Sequence, residues 1–287
     1  MDLTDRRTID DCFAATAPRR WGIFGLQLLL MSAVAITLLM SLMGTRWNVP
    51  DAVELAVPPA VLLLFLVTGM VSGRRRRSRR EALAVAWEKV QFENPEGALQ
   101  ALATVIHGPI YSVSDRGQAF MSLAATCEQL NRYDSAAHIY ERMLVEQIGD
   151  LSQLQEAQIK LAGAKVRNDE LTDAVTLIGR LAQVPLPPPF KAMFDLVQLF
   201  QRVFMGHYED AIQEIEPLRA LFRRHLSTKA GQGYALFAAA MHRLGRTSEA
   251  ARLWNDATTL IPASKLVRDF PLMQPISEAY AAAEPIL

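Results

Sequence analysis

Lysine is missing from the first 80 residues of this 287-residue chain, although Lys plus Arg and Asp plus Glu each number 30 overall. That front carries eleven arginines and six acids, a charge of about +5, which leaves residues 81–287 at about −5. A basic front joined to a mildly acidic body argues against a surface that coats nucleic acid, so no nucleic-acid partner is expected. Cysteine is almost absent. Cys12 and Cys127 alone make neither a disulfide framework nor a zinc-type CxxC pair. The five histidines never fall at HxxxH spacing, so neither a metal nor a cofactor is expected. There is no P-loop, no GxGxxG after a strand, no GxSxG and no HExxH. The carboxylate pairs Asp169/Glu170 and Glu209/Asp210 lie at turns, where acids cap the helix that follows. These absences exclude the common enzyme classes and leave a protein that holds partners.

Long uncharged runs, by contrast, are present. Residues 21–45 carry no charge, and a helix from Trp21 to Met43 would be roughly 35 Å long, enough for a ~30 Å hydrocarbon core. A second run covers 55–73, with Pro58 and Pro59 near its start and Gly69 and Gly73 at GxxxG spacing. The first run is longer than a signal-peptide core and lacks a small-x-small cleavage site. The reading is therefore an N-terminal tail (1–20), a first span (21–43), an external loop (44–54) and a second span (55–73). The arginine-rich segment 74–80, "RRRRSRR", follows. Arg6, Arg7, Arg19 and Arg20 precede the first span. Arg74, Arg75, Arg76, Arg77, Arg79 and Arg80 follow the second, and the loop has only Arg46. Basic flanks around a nearly neutral loop place both termini in the cytoplasm, and the six arginines also attract anionic lipid.

The body repeats itself. In "FMSLAATCEQLNRYDSAAHIYERML" (120–144), Phe120, Leu123, Ala124 and Cys127 stand on a first helix, with a turn at Asn131. Tyr133, Ala136, Tyr140 and Met143 stand at the turn and on a second helix. The small residue at Ala136 recurs as Ala98, Ala174, Ala211 and Ala250, at spacings of 38, 38, 37 and 39 residues. The last copy has Tyr234, Phe237, Ala238, Met241, Gly245, Ala250, Trp254, Ala257 and Pro262. This pattern resembles the tetratricopeptide repeat over residues 81–262. The expected fold is all-α: a two-helix transmembrane hairpin, then a tetratricopeptide-like α-solenoid of about five helix-turn-helix repeats.

Three stretches depart from the pattern. "VPLPPPF" (184–190) reads as a stiff polyproline-like connector. In copy four, "FKAMFDLVQLFQRVFMG" is apolar nearly all round, with Leu199 or Phe200 where a small residue belongs. Residues 263–287 read as a C-terminal capping tail. The resemblance implies a concave groove lined by the first helices, with Trp87, Met121, Gln129, Arg167, Phe200, Phe204 and Arg243 facing a protein or peptide partner. Phe200 and Phe204 lie one turn apart, and a stripe this apolar is a liability in water. Cover by the tail or a neighbouring helix is expected there, with an open groove as the alternative. The combined expectation is a scaffold in a bacterial inner membrane that recruits a partner through a cytoplasmic groove. The alternative is a regulatory or sensor subunit that joins a membrane enzyme or transporter through its hairpin.

Overall fold

The computed structural model describes residues 2–18, 73–74, 77–110 and 112–280, together with Ser32 and Met70. All regular elements among the described residues are helical, and the fold is all-α. Both expected spans, and Arg75 and Arg76, lie outside the described residues apart from Ser32, Met70 and Gly73. Among those described, no helix is long and apolar enough to cross a membrane. The helices are α1 (Arg6–Thr16), α2 (77–91), α3 (Pro95–Ile106), α4 (Val113–Gln129) and α5 (Tyr133–Val145). They continue as α6 (Leu151–Arg167), α7 (Leu171–Leu181), α8 (Pro188–Phe204), α9 (Tyr208–Ile212) and α10 (Ile215–His225). Last come α11 (Ala230–Arg243), α12 (Thr247–Leu260), α13 (Ala263–Asp269) and α14 (Gln274–Tyr280). Two compact units result, Met1–Leu123 and Ala124–Leu287.

One turn is built five times. The first helix of each pair ends in a residue of positive φ: Glu93 (54°), Asn131 (57°), Asp169 (62°), Gly206 (80°) and Gly245 (76°). The amides of Asn94, Arg132, Glu170, His207 and Arg246 donate to the carbonyls of Lys89, Cys127, Lys165, Arg202 and Met241 at 2.8–2.9 Å. The positive-φ residues themselves donate to Val90, Glu128, Val166, Val203 and His242 at 3.0–3.3 Å. Both bonds of the Schellman motif are thus present at every copy, satisfying carbonyls that a helix end otherwise leaves open. Five residues after each positive-φ position stands the repeating alanine, the fourth residue of the second helix. Ala98, Ala136, Ala174, Ala211 and Ala250 are all completely buried. Only a small side chain suits a point where the returning helix lies closest to the helix it left.

In the second unit, α6 packs against α5, α7 and α8, and α11 packs against α8, α9, α10 and α12. A first helix therefore touches its own partner and the next first helix, the pattern of a solenoid. Copy four departs from it, because its second helix is cut into α9 and α10. Pro217 has no N–H to give, and its ring opposes the carbonyl four residues back, at Gln213, where the break falls.

Three expectations need correction. Residues 2–18 are more than a tail: Ile9, Cys12, Phe13 and Thr16 form a buried stripe on α1 at helical spacing. The Phe13 and Phe120 rings stack with centroids 3.8 Å apart. Arg116 on α4 donates to the Phe13 carbonyl at 2.9 Å and to Thr16 Oγ1 at 3.2 Å. The polyproline connector is shorter than read, because Pro188 and Pro189 already form the first turn of α8, where a missing N–H costs nothing. The C-terminal segment, finally, does more than cap. Leu266, Phe270, Met273 and Ile276 are buried in the core of the second unit.

The turn makes a stability ranking predictable. Asp169 is exposed with φ 62°, so its side chain carries the left-handed penalty and little else. Asp169→Gly is expected to unfold in urea at higher free energy than Asp169→Ala, by about 1 kcal/mol. Equal midpoints for the two variants would remove the conformational account of the turn.

Candidate functional site

The second unit gathers its unusual side chains on the first helices and the C-terminal segment. Arg167, in the last turn of α6, holds its guanidinium over three rings: Phe270 at 4.6 Å, Tyr133 at 5.1 Å and Phe200 at 5.6 Å. Its Nη1 also donates to the Tyr133 hydroxyl at 3.0 Å. Phe270 meets Phe200 edge-on at 5.1 Å, and Phe204 stands 5.8 Å from Phe200 on the next turn. Charge over aromatic faces in a partly dry setting is favourable and directional, so this cluster ties copies two, three and four to the C-terminal segment.

Beside it lies a cleft of about 240 Å³ between α8, α11 and the C-terminal segment. Phe204, Tyr208, His242, Arg243, Leu272 and Ile276 are among its lining residues. His242 Nδ1 is 3.0 Å from the Tyr280 hydroxyl, which donates to the Thr247 carbonyl at 3.3 Å. No carboxylate lines the cleft, and Arg243 has no acidic partner among the described residues. A pocket of mixed lining with an exposed guanidinium can accept an apolar side chain neighbouring a carboxylate.

A third group of charges surrounds Glu128. Its carboxylate accepts from Lys160 Nζ at 2.9 Å and from the Tyr140 hydroxyl at 3.1 Å. Burial pushes the Glu128 carboxyl up, but the charge and hydrogen bond of Lys160 outweigh it and hold the group below its usual value. The Tyr140 phenol is pushed well up by burial and by the adjacent carboxylate. The charge of Lys160 is the main cause that brings the Lys229 ammonium down to about 8, since the Lys229 side chain itself keeps solvent exposure. Among the described residues no cluster of His, Cys, Asp and Glu could hold a metal ion.

The expected groove residues divide between the units. Arg167, Phe200 and Phe204 come together, and Phe204 and Arg243 share the cleft. Phe200 is only 6% exposed because Phe270 covers it, whereas Phe204 is 42% exposed. Gln129 is half-buried at the end of α4. Trp87 and Met121 belong to the first unit; Trp87 is 37% exposed, but Met121, at 7%, is a core residue and not an open contact. Of the arginines, Arg77 pairs with Glu81 at 3.0 Å and Arg80 with Asp115 at 3.2 Å, while Arg79 donates to the Pro109 carbonyl. Phe270, His242, Lys229 and the Glu128–Tyr140–Lys160 group were not read as site residues. Phe270 carried a signal nonetheless, a large aromatic before Pro271 in a segment otherwise taken as a cap.

The Lys229 ammonium has a pH signature. The folded protein holds that proton less tightly than the unfolded chain does, so stability rises with pH from about 8 towards the ordinary lysine value of 10.5. Lys229→Gln is expected to be more stable than the parent at neutral pH, with the difference shrinking across that window. Lys229 is exposed, so solvent screens part of the effect. Urea unfolding of both proteins below and above the window measures it, and a pH-independent difference would contradict the crowding by Lys160.

Comparison with protein-family models, with curated proteins and with solved structures gives no match.

Proposed function

We propose that the protein is a membrane-anchored interaction scaffold. In this reading two spans, 21–43 and 55–73, fix a tetratricopeptide-like solenoid to the cytoplasmic face of a bacterial inner membrane. The solenoid then recruits a protein or peptide partner, and no reaction is catalysed. The observation that carries this reading is the packing of α1. Residues 2–18 and 77–123 belong to one compact unit, joined through Phe13, Phe120 and Arg116. Two segments folded together lie on one side of a membrane, so the chain between them crosses it an even number of times or not at all. The two uncharged runs supply two crossings, and the arginines at both flanks assign the folded side to the cytoplasm. The cleft beside Phe204 and Arg243 is the surface proposed for the partner, because it is concave, mixes apolar and basic side chains and is short of negative charge.

Cysteine labelling tests the topology. With Cys12 and Cys127 replaced by Ser, Asn48→Cys is expected to react with an impermeant thiol reagent on intact cells, and Ser78→Cys only after lysis. Labelling of Ser78→Cys from outside would end the cytoplasmic reading. Once a partner is in hand, Phe204→Asp together with Arg243→Asp should weaken its binding at least about tenfold, roughly 1.4 kcal/mol. Arg243 is exposed, but Phe204 is 42% exposed with its ring against Phe200, so Arg243→Asp alone, expected to leave the unfolding midpoint in place, separates lost contact from lost packing. Unchanged affinity with unchanged stability would place the partner elsewhere.

A further inference from the structure

The two ends of the chain segment that holds both apolar runs are anchored to neighbouring residues of one loop. At the N-terminal end, the Thr16 carbonyl accepts from the Ile110 amide at 3.0 Å. At the C-terminal end, Arg79 donates to the carbonyl of Pro109, the preceding residue. Gly108 lies in the same contact: a Cβ added there would stand 3.1 Å from the Arg79 guanidinium. Thr16 is five residues before Trp21, and Arg79 six after Gly73. Fully extended chain covers at most about 3.6 Å per residue, so neither anchor is more than about 22 Å from the start or end of its run. On the membrane reading above, the loop at 107–110 therefore lies beside the bilayer.

The charge around the loop fits such a neighbour. Arg74, Arg77 and Arg80 are exposed. The pairs Arg77–Glu81 and Arg80–Asp115 keep the arginine side chains 85% and 67% exposed, so these contacts are weak and headgroup phosphates can compete for the guanidinium donors. His107, in the same loop, is also exposed. At the far end of α2 the character changes. Phe92 is 77% exposed and stands thirteen residues beyond Arg79, about 20 Å along a helix.

We infer that the loop 107–110, with the exposed arginines at the start of α2, is the face this unit lays on an anionic phospholipid surface, the far end of α2 pointing away from it. This inference rests on the membrane-anchored reading, and it adds the orientation of the unit and the loop that meets the lipid, which the reading leaves open. The exposed arginines act here as headgroup ligands, while the Thr16 carbonyl and the Arg79 side chain hold the loop at the depth where those ligands work. Surface attraction of this kind decays within a Debye length, so only the near end of α2 is affected.

The test uses the full chain in lipid nanodiscs, with fluorophores on single cysteines at Val113→Cys, beside the loop, and Phe92→Cys, at the far end of α2. Both native side chains are exposed, and Cys12 and Cys127 are replaced by Ala. Nitroxide on the lipid headgroups should quench the Val113 probe at least about twofold more than the Phe92 probe when phosphatidylglycerol is present. The margin should narrow in pure phosphatidylcholine, and with Arg77→Gln and Arg80→Gln combined. Equal quenching at the two positions overturns the orientation. A margin indifferent to lipid charge and to the arginines overturns the anionic-lipid ligand. Carbonate extraction of native membranes separates these outcomes from failure of the parent reading. A chain that stays in the pellet with equal quenching removes the lipid-facing loop alone, whereas a chain released to the supernatant removes the anchor and the loop together.

Discussion

Everything in the repeat region depends on how each first helix stops. A left-handed residue and two backbone hydrogen bonds reverse the chain within one turn, and they do so at Glu93, Asn131, Asp169, Gly206 and Gly245 alike. Because that reversal is fixed, the fourth residue of the returning helix always arrives at the same crowded place, and it is always alanine. The apolar faces then have no partner inside the pair and must be buried against the next one. The alternation of short turns and crowded alanines is thus a single geometric requirement seen at two positions.

Charge is used sparingly inside this frame, and its most connected instance joins elements that the backbone alone would leave independent. Lys165 in α6 reaches Glu141 at 2.8 Å, Glu170 at 2.8 Å and Asp173 at 3.3 Å, tying α6 to the helix before it and to its own partner. Burial works against that ammonium, but the carboxylates prevail and its proton is held more firmly than in an ordinary lysine. Arg167, two residues on, solves the same desolvation problem differently, by lying on the faces of three rings. At Lys229 the carboxylates of Glu128 and Glu156 help too little against the Lys160 charge, and the group yields in proton affinity instead.

Local physics explains which parts could be read in advance. The alanine period and the turn residues Asn131 and Gly245 were visible because each copy repeats the same steric demand at nearly constant spacing. The break in copy four was equally local, since Pro217 forbids a continuous helix, yet the repeat pattern drew attention to Ala211 and away from the proline. The packing of α1 was hidden by its neighbourhood: a short polar segment ahead of a long apolar run reads as a tail, and its stripe of Ile9, Cys12, Phe13 and Thr16 is brief. Phe270 over Arg167, and Lys229 beside Lys160, were beyond reach. Those contacts join residues about a hundred and about seventy positions apart, outside any period, and no helical spacing announces them.

The cover over Phe200 is also a matter of timing. Phe270 is made seventy residues after the ring it shields, so at about 5–20 residues per second the face of α8 leaves the ribosome several seconds before its lid exists. During that interval copies two to four can already stack while their most apolar surface stays wet. The protein therefore passes through a nearly complete solenoid that is stickier than either the nascent helix or the finished fold. A chain that begins with hydrophobic runs bound for a bilayer would spend that interval tethered at the membrane, spaced from its neighbours on the same polysome.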